Sequence, residues 1–168
     1  MLRYVIVQAL SMLPLEGVGR VLEDARIART CRGLEHFGRN VTLNKGLYIE
    51  SPKEVSIEDD VSFGPDVKIM GGGGCKLGKG TMIATGVLIL TTSHDRRAAK
   101  MRITGIHKPV VIESECWIGA GAILLPGARV HSGAVVGAGA VVSGDIPAGM
   151  VALGIPARAR YARMDDSG

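Results

Sequence analysis

The sequence predicts a parallel β-helix, and three observations carry that prediction. Ile112, Ile118, Leu124, Val130, Val136 and Val142 recur at an unbroken step of six. That step fits neither the period of an amphipathic helix, about 3.6 residues, nor the period of a half-buried strand, about two. It fits short strands stacked coil on coil, each aliphatic aimed into a narrow core. Small residues fall four places after successive aliphatics, at Ala122, Ala128, Ala134 and Ala140, and leave room for sharp turns inside a thin prism. Gly119 and Gly137 directly follow aliphatics, where the lack of a Cβ relieves a tight corner. Composition agrees: aromatics are only 4% and glycines number 24 of 168 residues, as a solenoid with little room for rings and many turns requires.

The chain opens differently. Leu2, Val5, Ile6, Ala9, Leu10 and Leu13 follow helical spacing, and Pro14 stops the pattern. Val18, Val21, Leu22, Ala25 and Ala28 form a second apolar series with charges between, and Gly33 stands where a cap belongs. Residues 1–36 are therefore expected to form a helical cap on the open end of the solenoid. Residues 1–15 carry a single charge, Arg3, so two alternatives stay open: a signal peptide and a shallow membrane-surface helix. No clear small-x-small cleavage pattern follows, and residues 16–29 read as structured. The longest apolar run falls far short of the roughly 20 residues that span a bilayer.

The repeat is expected over residues 37–161, with 162–168 as a tail. Leu43, Ile49, Val55, Val61 and Val67 keep the step of six, as do Leu77, Ile83 and Ile89. Two breaks interrupt it. The first is Gly71-Gly72-Gly73-Gly74, read as a flexible bulge or short loop. A phosphate cradle is disfavoured, because neither a Gly-Lys-Ser/Thr sequel nor a helix follows. The second lies between Ile89 and Ile112, where the segment is polar and basic. A loop of that length in a compact repeat, 91–109, is expected to be either functional or disordered. It contains His94 and His107, and His94 leaves the solenoid wall at a fixed place soon after Ile89.

Several chemistries are disfavoured. Cys31, Cys75 and Cys116 are odd in number and form no CxxC, which points to free thiols in a reducing cytoplasm. Cys116 precedes the only tryptophan, yet reads as a small buried hydrophobe rather than a nucleophile. His36, His94, His107 and His131 lack paired ligand spacing, so no metal is expected and a γ-type carbonic anhydrase is disfavoured. The net charge is +4, with basic clusters at Arg96, Arg97, Lys100, Arg102 and Lys108 and at Arg158, Arg160 and Arg163. They have no interleaved aromatics, so nucleic acid is not an expected partner.

Residues 41–161 contain Lys108-Pro109-Val110, Trp117-Ile118-Gly119-Ala120-Gly121-Ala122 and Leu125-Pro126-Gly127. Val136-Gly137-Ala138-Gly139-Ala140-Val141-Val142, Asp145-Ile146-Pro147 and Gly154-Ile155-Pro156-Ala157 follow. Together these resemble the hexapeptide-repeat acyltransferases, and among them the maltose/galactoside and polysaccharide-biosynthesis O-acetyltransferases. The resemblance implies a left-handed coil, a homotrimer, acetyl-CoA as donor and a sugar or sugar-linked acceptor. Handedness rules alone favour a right-handed crossover. It places the catalytic histidine at His94, in Ser93-His94-Asp95. Asp95, Glu113, Glu115 and Asp66 are all open as orienting partners for its imidazole. It sets Trp117 beside the active-site channel and Ala120 and Ala138 along the pantetheine arm. Arg158 follows Gly-Ile-Pro-Ala as the family's CoA-contacting basic residue does. Where many relatives carry Thr-Lys before Asp-Ile-Pro, this chain has Ser143-Gly144. The phosphate-binding lysine is thus missing, and two readings stay open: Arg160 or a loop arginine replaces it, or donor affinity is weaker. The implied setting is cytoplasmic assembly of cell-surface polysaccharide or glycolipid, with weak membrane-surface contact through residues 1–15. The rival readings are a serine O-acetyltransferase-like enzyme, whose relatives carry a larger helical N-terminal domain, and a non-catalytic scaffold.

Overall fold

The computed structural model describes residues 25–100 and 105–163. The expectations made for residues 1–15, including the signal peptide and the membrane-surface helix, lie outside those residues. The chain divides into two compact units, 1–33 and 34–168. In the first unit, residues 25–32 are helical, and the Gly33 N–H donates to Thr30 O at 3.0 Å just past the helix end.

The second unit is the solenoid, and its parallel strands form three faces. The first face contains His36–Phe37, Val55–Ile57, Cys75–Leu77, Val110–Ile112, Arg129–Val130 and Asp145–Ile146. Ser62–Phe63, Met82–Ile83, Trp117–Ile118, Val135–Val136 and Met150–Leu153 make the second. The third is built from Tyr48–Ile49, Lys68–Met70, Leu88–Leu90, Ile123–Leu124 and Val141–Val142. Each coil visits the three faces in turn, giving a left-handed parallel β-helix.

The period of six follows from this geometry. Every hexapeptide sends two residues inward, two places apart, such as Ala122 and Leu124 or Ala134 and Val136. Stacking then aligns like with like: Ile112 lies opposite Val130, Ile118 opposite Val136 and Leu124 opposite Val142. Each of these six is at most 1% exposed, so each burial contributes roughly 1.5–3 kcal/mol against an exposed reference. Two buried hydroxyls interrupt the apolar stack and are satisfied. Thr81 Oγ1 donates to Glu113 O at 2.9 Å, and Thr91 Oγ1 to Met70 O at 3.0 Å.

The structure shows a third break that the periodicity conceals. Ile49 pairs with Ile69, whereas Val55 pairs with Cys75 and Ile57 with Leu77. Ile49 is thus the second inward residue of its hexapeptide and Val55 the first inward residue of the next. The step of six between them spans two position classes and hides a two-residue insertion at the 3₁₀ turn Pro52–Glu54. All three insertions, at Pro52–Glu54, at the four glycines and at 91–109, fall on the edge where the third face turns into the first.

The tetraglycine is no free bulge. The Gly71 N–H donates to Glu50 Oε2 at 2.6 Å, Gly72 N–H to Thr92 Oγ1 at 3.2 Å and Gly73 N–H to Thr91 Oγ1 at 3.0 Å. Those amides are spent on side chains of the coils on either side. After Met150–Leu153 the chain reverses, and Arg158–Ala162 pairs antiparallel along that strand. On the first-to-second edge, Arg39 grips Asp59 at 2.8 Å, and this bond holds the Asp59 carboxyl down to about 2.

Candidate active site

The stacked insertions raise a structure on an otherwise smooth prism. Loop 91–109 begins and ends as a two-stranded antiparallel hairpin, Thr92–His94 against Gly105–His107. Its base is tied to the solenoid, since Thr91 N–H donates to Met70 O at 2.9 Å and Lys108 N–H to Thr91 O at 3.0 Å. His94 lies opposite Gly105, and Thr92 opposite His107. Alternation along a strand therefore puts Thr92, His94 and His107 on one side of the hairpin. His94 is exposed. Asp95 N-caps the turn that follows, its Oδ1 accepting from Arg97 N–H at 2.8 Å, so its carboxylate is committed to the backbone.

A cleft of about 310 Å³ opens at the hairpin base. Its apolar lining is Met70 and Leu90; its polar lining is Glu50, Thr92 and His107, with Gly71 and Gly72 between. Thr92 Oγ1 contacts His107 Nδ1 at 3.2 Å while accepting from Gly72 N–H, which fixes the imidazole to the solenoid backbone. Sequence reasoning singled out neither Glu50 nor Thr92, and left His107 without a role. Glu50 sits at the concealed break, so the only signal that would have found it is the change of position class between Ile49 and Val55.

The other expected site residues are spread over the prism. Ala120 and Ala138 are exposed and stacked on the second-to-third edge, where Gly139 N–H donates to Ala120 O at 2.9 Å. A Cβ added at Gly121 or Gly139 meets nothing within 4 Å, so this edge is open along its length. Arg158 reaches the same edge: Ala157 N–H donates to Val141 O at 2.7 Å, and Arg158 Nη1 to Ala157 O at 2.9 Å. Arg160 is exposed on the reversed strand. Trp117 projects from the second face, 49% exposed, between Met82 and Val135. Ser143 is exposed on the hairpin's own edge, two coils further along.

One chain therefore does not bring His94 to Trp117 or the Ala120–Ala138 edge; the third face stands between them. Nor do the three other carboxylates raised as partners lie on the edge carrying His94. Glu113 and Glu115 lie on the first-to-second edge and Asp66 on the second-to-third. Glu113 Oε1 stands 3.1 Å from His131 Nδ1, and the Ser132 N–H and the neighbouring His131 hold its carboxyl below the usual range.

Two of the three thiols, Cys75 and Cys116, are buried in the stack. Burial pushes Cys75 up to about 12 and Cys116 up to about 11, and Cys116 Sγ lies 3.2 Å from His131 O. Since thiolate is the reactive form, a thiol reagent at pH 8 is expected to leave both untouched in the native protein and to label them on unfolding. Rapid labelling of either in the native state would place it on an accessible surface. Among the described residues no group of His, Cys, Asp and Glu is arranged to hold a metal ion.

Comparison with known proteins agrees with this architecture. The family "Bacterial transferase hexapeptide (six repeats)" matches residues 109–144. A galactoside O-acetyltransferase of Lactococcus lactis is 32% identical over 121 residues, covering 72% of this chain and 49% of that one. The putative colanic acid biosynthesis acetyltransferase WcaF of Escherichia coli is 30% identical over 121 residues, covering 72% and 65%. The chain thus spans less than two thirds of the length of either relative. A hexapeptide-repeat-containing acetyltransferase from Vibrio cholerae superposes with a TM-score of 0.78 at 26% identity, over 85% of this chain and 82% of that one. The same protein has been solved with acetyl coenzyme A, and in that complex matches with a TM-score of 0.76 at 23% identity, over 95% and 84%. Repeat, coil geometry and these relatives coincide: the chain carries the hexapeptide repeat, and its fold is that of the hexapeptide-repeat acetyltransferases.

Proposed function

We propose that this protein transfers an acetyl group from acetyl-CoA to a sugar hydroxyl, with His94 as general base. The observation that carries this reading is His94 itself, held on a hairpin rooted in the solenoid, beside a cleft large enough for a small acceptor. A sugar hydroxyl is a poor nucleophile at neutral pH, and a neutral imidazole can take its proton as oxygen attacks the thioester carbonyl. The carbon–sulfur bond then breaks, and the imidazolium returns the proton to the departing thiolate. No acyl-enzyme is required, and neither buried cysteine is suited to form one.

The donor is assigned to the second-to-third edge. An extended pantetheine arm needs a shallow, side-chain-free track, and Ala120, Gly121, Ala138 and Gly139 supply one. Arg158 stands at its far end to meet phosphate, with Arg160 on the reversed strand in place of the absent lysine, while Ser143, on the third-to-first edge, lies off this track. Arg158→Ala is expected to raise the acetyl-CoA KM about tenfold, the loss of one charge-assisted contact, with a smaller fall in kcat. Steady-state kinetics against acetyl-CoA check this; a fall confined to kcat would remove Arg158 from the donor site.

Because His94 and the donor edge sit on different edges of one prism, the complete site requires a second solenoid. The outward side chains agree. Met82, Trp117, Val135 and Val151 form an apolar ladder on the second face, and Leu88, Ile123 and Val141 another on the third. The first face instead presents Ser56, Lys76, Arg129 and Asp145, with Val111 as the one apolar residue among them. Burying the two apolar ladders against neighbours gives a closed trimer in which one chain's hairpin meets the next chain's donor edge. Polysaccharide or glycolipid assembly is the process this reading assigns.

The test is release of CoA thiol from acetyl-CoA against a panel of sugars, nucleotide sugars and serine. Release with a sugar supports the assignment; release with serine alone transfers it to a serine acetyltransferase; failure to bind CoA at all favours a scaffold.

A further inference from the structure

We propose that the cleft at the hairpin base seats the acceptor as a neutral pyranose, gripped by Glu50 and His107. This rests on the acetyl-transfer reading and names its substrate class.

The cleft exists because three insertions coincide on one edge. The Pro52–Glu54 turn follows Glu50, the tetraglycine supplies the back wall, and the hairpin supplies Thr92 and His107. At about 310 Å³ it lies at the small end of ligand sites, which run to roughly 300–1,000 Å³. Its chemistry is two-sided. Met70 and Leu90 offer an apolar surface, as the C–H face of a sugar ring requires. Glu50 and His107 offer hydrogen bonds at the rim, as its hydroxyls require.

Both polar groups are held by one end and available at the other. Glu50 Oε2 accepts the Gly71 N–H at 2.6 Å, which fixes the carboxylate plane and leaves Oε1 to accept from a ligand. His107 engages Thr92 through Nδ1, and Thr92 is itself held by Gly72 N–H. When the Thr92 hydroxyl donates to Nδ1, the proton resides on Nε2 and that atom becomes a donor. Gly105 has no side chain, and a Cβ built there would stand 3.0 Å from His107 Nε2. The ring therefore leans over Gly105, which lies opposite His94. An acceptor held by Nε2 has its neighbouring hydroxyl directed along the hairpin toward the general base.

The carboxylate also sets a selection. An anionic sugar would bring a second negative charge against Glu50, and like charges repel. Neutral hexoses are expected to be preferred over their uronic acids.

The experiment is steady-state kinetics of wild type, Glu50→Gln and His107→Asn with galactose, glucose, galacturonate and glucuronate as probes. Both substitutions keep the internal bond: glutamine can still accept from Gly71, and asparagine can still meet Thr92. The expected result is a tenfold or greater rise in KM for the neutral hexose in each variant, with the acetyl-CoA KM unchanged. Glu50→Gln is further expected to narrow the gap between hexose and uronate, a change that a merely structural role would not produce. Wild-type transfer with hexose KM values within twofold in both variants would overturn this inference and leave the proposed function standing. So would a wild type that prefers uronates. Absence of wild-type transfer to every sugar would overturn both.

Discussion

Replacing His94 by alanine is expected to lower acetyl transfer by about 10²–10⁴-fold, the contribution of a positioned general base. Binding of CoA and the oligomeric state should be unchanged. His94 is exposed on the hairpin, outside the core stack, so its truncation opens no cavity. Ala120, Ala138 and Arg158, the residues proposed for the donor, lie on another edge of the prism. The check is turnover with acetyl-CoA and the best sugar, together with CoA affinity by calorimetry and mass by light scattering. A variant retaining more than about a tenth of wild-type turnover would show that another group removes the acceptor proton. Loss of CoA binding in parallel with turnover would assign His94 a structural role instead.

The second large effect is on stability. Gly119→Ala is expected to destabilise the solenoid by about 3 kcal/mol or more, at or above the upper end of ordinary overpacking. A Cβ at Gly119 would stand 2.6 Å from Ala138 N and 2.8 Å from Gly137 C, both backbone atoms of the next coil. Backbone cannot rotate aside as a side chain can, and Gly119 N–H already donates to Val136 O at 2.7 Å across the same gap. The control is Gly139→Ala. Its φ of +67° is unfavourable to alanine, but the added Cβ meets nothing within 4 Å. Strain alone there costs about 1 kcal/mol. For a chain of this size 1 kcal/mol corresponds to roughly 2–4 °C in Tm, so thermal unfolding at fixed protein concentration should separate the two variants clearly. Equal shifts would mean that the coils can move apart at Gly119, and that inter-coil spacing is softer than the hydrogen bonds suggest.

The fold was legible because the core is nearly one-dimensional. Each strand is two to four residues long outside the reversed one, and each contributes its inward side chains at a fixed step, so Ile112 to Val142 announces three faces without reference to anything distant. The concealed break was not legible for a related reason. Both inward positions accept an aliphatic, and two inserted residues move the chain from one class to the other, so Ile49 to Val55 still counts six. The site divides in the same way. His94 is proposed from the family motif and its nearness to Ile89. Glu50, Thr92 and His107 converge only when the coils are in register, because Glu50 meets Gly71 and Gly72 meets Thr92, each about one coil away in sequence. Register is a property of stacking, and no local pattern encodes it.

The reversed strand Arg158–Ala162 has a consequence for the colloidal behaviour of the molecule. A coil that ended on a parallel strand would offer the second face's unpaired amides and carbonyls as a ready seat for the first coil of another molecule. End-to-end growth into filaments would then have no natural stop. Running antiparallel along Met150–Leu153, with all five residues exposed and arginines at 158 and 160, the strand occupies that seat and lines it with positive charge. A further strand added at the second face would meet this short, exposed, arginine-bearing edge, which disfavours end-to-end growth there.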